Sequence, residues 1–399
     1  MFPLTRTIAG LLLDALHDPR RTEPEHTTPT WVTGMTPGSL LNAREIKAVG
    51  LTKRLNPADV WGIDYVTADE DGRALTATGA VFRSRTPWPG HGPRPTIAFA
   101  PSTQGVAPRC NPSYSCTVGL VPRRAPWDLI AAYEQPAINL LLAAGANVVL
   151  TDYPRNPAEN VQLYCDHVAA AQSLIDATRA ASSLSVDTTV LGLWGFSQGG
   201  GAVGAWLERP EYAPELQPQA AVVGAPPAAL VPMLDHVDGA MPSVVILYAV
   251  AGLMAHHPDL ADEILPHLSP EGAATILADS DLCAVGASLR RPWAHTTRWT
   301  RSGLSMAELL HALPGTSEHL ESIALGRRRP LRIPTRFWGS LHDDIIPYPQ
   351  LTALADAWEI PLQTRRMPRV PGRTGVNHYG PYFQHLAGDV KWLVRQLDR

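Results

Sequence analysis

Short runs with no polar alternation recur along the first part of the chain. They lie at Thr96–Ala100, Asn147–Thr151, 190–194 and 220–224 and are rich in Val, Leu, Ile, Ala and Phe. Such runs predict strands covered on both faces, as in a parallel sheet. Between them, apolar residues at helical spacing predict helices over 128–144, 161–181 and 199–207. Upstream, 63–67 and 74–82 alternate on either side of Asp69-Glu70-Asp71-Gly72, which predicts two strands joined by a turn. Strands alternating with helices imply βαβ units and an α/β fold around a mostly parallel sheet.

The rhythm stops after Pro227. Helical spacing alone continues over 243–255, 260–264, 270–277 and 306–313, which reads as an insertion set on the sheet. Strand and helix then return: a strand over 335–339, a helix over 349–358, a strand near 363–367 and a final helix over 381–397. The expected organisation is an extended arm over 1–50, a first core segment over 51–227, a helical insertion over 228–332 and a second core segment over 333–399.

Composition narrows the function classes. Hydrophobic residues make up 45% of 399 positions, ample for a buried core. The formal net charge of −4 lacks the basic excess of a nucleic-acid binder. No apolar run is long enough to predict a membrane span. Residues 8–16 are apolar but short and interrupted by Asp14, a poor core for a signal peptide. The four cysteines, Cys110, Cys116, Cys165 and Cys283, match no zinc ribbon or finger spacing. Disulfides stay open, since spacing does not reveal pairing. No metal and no cofactor are expected.

The most informative segment is 190–203. It holds Gly195-Phe196-Ser197-Gln198-Gly199 between a buried strand and a helix of small residues. Gly-x-Ser-x-Gly in that context is a nucleophile elbow, a tight turn that presents the serine at the end of a strand. Glycine is needed on both sides because a Cβ there would strike strand or helix. A serine hydroxyl is a weak nucleophile and needs a base held by a carboxylate. In this fold the acid and then the base follow the serine along the chain. Asp343 and Asp344, just beyond the strand at 335–339, both qualify as the acid. The base should sit in the loop after the last strand, where 372–380 contains His378. His385 falls on the final helix, and His342 precedes the acid, so neither fits as well. The oxyanion requires backbone amides. Gln198, after the nucleophile, supplies one. Gln104, beyond the strand at Thr96–Ala100, is the first choice for the other, with Thr103 and Gly105 as neighbours in register.

Taken together these segments resemble the secretory lipase family of actinobacteria and of fungal lipases of the lipase A type. The resemblance rests on Gly38-Ser39-Leu40-Leu41 and Ile46, on 92–100 with Thr103-Gln104-Gly105, and on Cys110-Asn111-Pro112-Ser113. It continues through 194–201, 212–216, Gly224-Ala225-Pro226-Pro227 and Asp343-Asp344-Ile345-Ile346-Pro347, covering most of the chain from Thr36 onward. It implies the α/β-hydrolase fold, a cap with a lid over 228–332, and Asp343 as the acid, the first residue of the family's Asp-x-x-x-Pro. It also implies secretion and a disulfide from Cys110 to the cap, where Cys283 is the candidate. The chain departs from relatives at Arg155-Asn156-Pro157, where they carry glycine-rich sequence.

The expected activity is therefore hydrolysis of carboxylic esters, with Ser197, His378 and Asp343 as a triad acting through an acyl-enzyme. A small-molecule or lipid ester, such as an acylglycerol, is the expected substrate, with transient contact at a lipid interface. An acyltransferase, a short-chain carboxylesterase or an amidase are the alternatives on the same triad. A binding module that has lost catalysis would have no need of all three residues.

Overall fold

The computed structural model describes residues 27–51 and 56–398. The apolar segment 8–16 lies outside them. Three long strands open the sheet: β1 (Leu40–Glu45), β2 (Ala58–Ala68) and β3 (Ala74–Ser84). β1 pairs antiparallel with β2, and β2 pairs antiparallel with β3 across the turn at Asp69–Gly72. Next come β4 (Thr96–Ala100), the hairpin strands β5 (Leu120–Arg124) and β6 (Trp127–Ala131), and β7 (Asn147–Thr151). The remaining strands are β8 (Leu191–Phe196), β9 (Pro218–Gly224), β10 (Thr335–Ser340) and β11 (Leu362–Arg365).

Among the described residues nine strands form one sheet, in the order β1-β2-β3-β7-β4-β8-β9-β10-β11. From β7 across to β11 every neighbouring pair is parallel. Every residue of β4, β7 and β8 is buried, as expected of strands covered on both faces.

The described residues hold thirteen α-helices. The first four are α1 (Pro112–Val118), α2 (Gln135–Ala143), α3 (His167–Ala181) and α4 (Gln198–Glu208). Seven more lie between β9 and β10: α5 (Leu230–Val237), α6 (Val244–His256), α7 (Pro258–Ile264), α8 (Pro270–Asp279), α9 (Ala284–Arg290), α10 (Met306–Ala312) and α11 (Pro314–Ser322). The last two are α12 (Tyr348–Trp358) and α13 (Val376–Leu397). The chain therefore has the α/β-hydrolase architecture, a large, mostly parallel sheet flanked by helices.

Several boundaries differ from the pattern-based expectation. The single helix expected over 128–144 is a strand followed by a helix. Asp128 and Ile130 point inward in β6 while their neighbours are more open, a period of two inside an apolar run. The helix expected from Val161 starts only at His167, where Asp166 caps it by accepting from the amides of Val168 and Ala169. The final helix starts at Val376 rather than at Pro381 and encloses that proline. Pro381 removes only the one donor that would meet the Asn377 carbonyl. Of the segment read as an extended arm, Leu40–Glu45 is instead a strand on the sheet edge.

A disulfide joins Cys110 to Cys283, tying the segment before α1 to the start of α9. The Ala284 amide donates to the Gln104 carbonyl at 2.9 Å, and the Cys283 amide donates to the Asp128 carboxylate at 3.1 Å. The helices after β9 are thus fastened to the loop that follows β4.

Candidate active site

The turn between β8 and α4 is sharply bent. Ser197 has φ 56° and ψ −121°, a conformation that strains any residue with a side chain. Its amide donates to the Gly224 carbonyl at 2.9 Å, which pins the turn to the end of β9. The glycines on either side are required by contact. A Cβ on Gly195 would lie 2.1 Å from the Gly199 carbonyl oxygen, and one on Gly199 would lie 2.0 Å from that of Ala100. Backbone packs on backbone here. Strand, turn and helix close up tightly enough to hold Ser197 at the head of α4, whose first amides have no partner within the helix.

Asp343 and His378 come together from separate elements. Asp343 follows β10, and its Oδ1 accepts from the amides of Ile345 and Ile346, each at 2.8 Å. Its Oδ2 lies 2.7 Å from His378 Nδ1. The carboxylate is thereby fixed by backbone on one side and by the imidazole on the other. His378 is fully buried and sits in the first turn of α13, not in a loop. Its Nε2, on the opposite edge of the ring, is buried and has no hydrogen-bond partner among the described residues. The ring stacks on Phe196 at 4.6 Å between centroids, and Phe196 stacks in turn on Tyr382 at 4.3 Å. Phe196, the residue before Ser197, is therefore the floor on which the imidazole rests.

The rival candidates sit elsewhere. Asp344 does not reach the imidazole. Its carboxylate accepts from the Gly375 amide at 2.9 Å and from the Asn377 side chain at 2.9 Å, so it holds the start of α13. His385 lies on α13, with its basicity lowered by burial. His342 lies in the turn after β10, before Asp343.

Ser197 opens on a cavity of about 280 Å³. The core contributes Thr103, Gln198, Ile346, Tyr379 and Phe383 to its walls; the helices after β9 contribute Met233, Val245 and Leu289. The lining is mainly apolar. Thr103, a neighbour of the first-choice Gln104, lines this cavity, and its hydroxyl shares a 2.7 Å hydrogen bond with that of Tyr164. Gln104 lines a small adjoining space beside the disulfide. The Gln198 side chain is tethered, donating to Gln162 at 2.9 Å. Cys165 also lines the cavity, but burial pushes its thiol up to about 12, so it stays protonated.

Two supports were not singled out by sequence reasoning. Phe196 occupies the first variable position of the elbow, where the motif places no demand. Glu134 is buried beneath the loop after β4. It accepts from the Ser102 amide at 2.7 Å, from the Ser102 hydroxyl and from Tyr382 at 2.9 Å, and burial raises its carboxyl. No motif marks it, and the apolar spacing of 128–144 places it inside a helix.

The secretory lipase family model matches residues 127–366. The chain belongs to the secretory lipase family. A probable inactive lipase of Mycobacterium tuberculosis is 25% identical over 84% of this chain and 74% of its own length. A secreted triacylglycerol lipase of Malassezia restricta is 28% identical over 63% of this chain. The chain spans only 53% of that relative's length. Among solved structures, lipase A of Candida antarctica superposes with a TM-score of 0.73 at 20% identity, covering 94% of this chain and 88% of that one. A rice cell wall degrading esterase of Xanthomonas oryzae superposes at 0.74 and 17% identity, covering 92% and 100%. Both likenesses carry the α/β-hydrolase fold. Family and fold together support ester hydrolysis.

Proposed function

We propose that this chain hydrolyses carboxylic esters bearing medium to long acyl chains, with Ser197 as nucleophile, His378 as base and Asp343 as its orienting acid. The observation that carries this reading is the 2.7 Å contact of His378 Nδ1 with an Asp343 carboxylate already fixed by two amides. That contact sets the tautomer, leaving Nε2 as the proton acceptor. Ser197 attacks the ester carbonyl while His378 takes its proton and passes it to the leaving alcohol. Water then repeats the cycle on the acyl-enzyme. The Gln198 amide and an amide from the Thr103–Gln104 segment stabilise the oxyanion, with Gln104 the first choice.

An apolar cavity suits an acyl chain. We read residues 228–332 as a cap over it, between the core segments 51–227 and 333–399. Leu289 and Phe383 line the cavity yet remain exposed, and Trp293, half exposed, donates to the Gly372 carbonyl nearby. This apolar rim supports contact with a lipid interface. The Cys110–Cys283 disulfide and the secreted relatives support secretion.

One relative is named inactive, so activity here stands on this chain's own residues. Labelling with a fluorophosphonate tests it. One equivalent should attach to the wild type and none to Ser197→Ala; labelling that survives the substitution would sink the assignment. Turnover of p-nitrophenyl esters from acetate to palmitate should rise with chain length. A preference for acetate would make the chain a short-chain carboxylesterase. Matched amide substrates and an added alcohol acceptor separate hydrolysis of esters from amidase or acyltransferase chemistry.

A further inference from the structure

Ionisable side chains from four elements meet where the helices after β9 touch the turn between β2 and β3. Glu70 comes from that turn, His256 and His257 from the end of α6, His319 from α11 and Asp166 from the cap of α3. We propose that Glu70, His257 and His319 bind a single divalent transition-metal ion of the zinc(II) class, with His256 and Asp166 beside its open coordination position.

The geometry is that of an N/O donor set. His257 Nε2 lies 3.0 Å and His319 Nδ1 3.7 Å from the same Glu70 oxygen, and the three donor atoms all lie within 4.8 Å of one another. Around zinc, with bonds of about 2.0–2.1 Å, tetrahedral donors stand about 3.3 Å apart. The two separations bracket that value. All three side chains are largely shielded yet not sealed, at 14–18% exposure. Two imidazoles and a carboxylate are the ligand chemistry that zinc takes readily.

A plain hydrogen bond between Glu70 and His257 would leave the rest of the cluster unexplained. Asp166 spends Oδ1 on the cap of α3, and its Oδ2 has no hydrogen-bond partner among the described residues. Neither ring nitrogen of His256 has one either. Both residues are more than nine-tenths buried, and their nearest atoms stand 4.0 Å apart, too far for a hydrogen bond. Donor atoms of Glu70, Asp166 and His256 also fall within 4.8 Å of one another. Buried polar atoms left without partners are costly, and a cation among them resolves the cost. The further grouping of Asp69, Asp71 and His256 is less suited, because Asp69 is already held by Arg73 at 2.7 Å.

Such an ion would clamp two helices of the insertion to the core. Tyr164 lines both this cluster and the main cavity, so the clamp would also steady a cavity wall. The proposal departs from the expectation of no metal and is independent of the esterase reading.

The test uses the full chain purified without a histidine tag, stripped with a chelator and dialysed. Zinc(II) titration followed by calorimetry and elemental analysis should give one tight equivalent and a higher melting temperature. Cobalt(II) should give the intense visible bands of a tetrahedral site. His257→Ala with His319→Ala should abolish the tight equivalent, and Glu70→Gln should weaken it at least about tenfold. His295→Ala, at an exposed histidine, should change nothing. No tight equivalent in the wild type, or equal binding in Glu70→Gln and wild type, would overturn the site. Should the double variant fail to fold, weak octahedral cobalt bands in the wild type would overturn it instead.

Discussion

The Asp344 carboxylate grips Asn377 twice, at its side-chain amide (2.9 Å) and at its backbone amide (3.3 Å), one residue before His378. Its neighbour Asp343 grips His378 itself. Adjacent carboxylates thus serve one imidazole in different ways, one by contact and one by holding the helix start. Asp343→Asn should lower kcat by about 10³–10⁴, because the amide no longer enforces the tautomer. Asp344→Asn should cost roughly ten- to hundredfold through misplacement of His378, together with about 1.5–3 kcal/mol of stability. Steady-state kinetics and urea melts on both variants check this. Equal activity losses, or a stability loss confined to Asp343→Asn, would reverse the assignment of roles.

Ser197 is held at a positive φ that glycine adopts freely. Relief of that strain should make Ser197→Gly more stable than Ser197→Ala by about 1 kcal/mol, although glycine ordinarily loses to alanine. Neither variant should turn over ester. Chemical denaturation of the pair reads the difference directly; an Ala variant as stable as the Gly variant would mean that the turn relaxes at no cost.

The disulfide closes a sequence separation of 173 residues. Cys110→Ala with Cys283→Ala should cost about 2–5 kcal/mol, and a reductant should lower the wild-type melting temperature without further effect on the variant. Differential scanning calorimetry with and without reductant gives the answer. The bond also joins the loop after β4 to α9, so reduction should impair turnover at temperatures where both forms stay folded.

The exposed apolar rim predicts a split between substrate forms. Leu289→Ser should weaken partitioning to an emulsion about tenfold, since burying a leucine is worth about 1.5–3 kcal/mol. Hydrolysis of a dissolved butyrate ester should be unchanged. Parallel assays on emulsified and dissolved substrates test it, and an equal fall on both would place Leu289 in acyl-chain binding alone.

The legible parts of this chain are those whose constraints are local. Strands β4 and β7 were readable to the residue because a buried parallel strand is a short apolar run with turn residues at both ends. The elbow was readable because backbone packed on backbone at Gly195 and Gly199 tolerates no other residue. The Asp343–His378 pairing followed from chain order and a family likeness. What escaped is set by tertiary contact. Strand β6 hid within an apolar stretch because its partner β5 and the pocket for Asp128 are not written in its own sequence. The start of α13 was misplaced because Pro381 reads as a helix start, whereas Asp344 fixes the true start from another element. Glu134 and Phe196 support the site from below through contacts that no spacing rule marks. The cluster at Glu70 assembles from four separate elements, each ordinary alone.

His167 opens α3 with its ring against α4, where a Cβ on Gly201 would lie 2.5 Å from Nδ1. Its Nε2 donates to the Pro227 carbonyl at 2.8 Å, and Nδ1 has no partner. Burial, with a smaller push from Arg209, lowers it from 6.5 to about 4. The unfolded chain therefore takes up a proton near pH 6.5, and the folded chain only near pH 4. Between those values the unfolded state binds more protons, so stability rises with pH and is lost on acidification. A shift of this size corresponds to about 3 kcal/mol lost across the window. His167→Gln keeps a donor for Pro227 and removes the titration. It should be less stable than the wild type at pH 7, yet lose about 3 kcal/mol less between pH 6.5 and 4. Urea denaturation at half-unit pH steps measures both slopes, and parallel curves for the two proteins would show that the folded state accommodates a protonated His167.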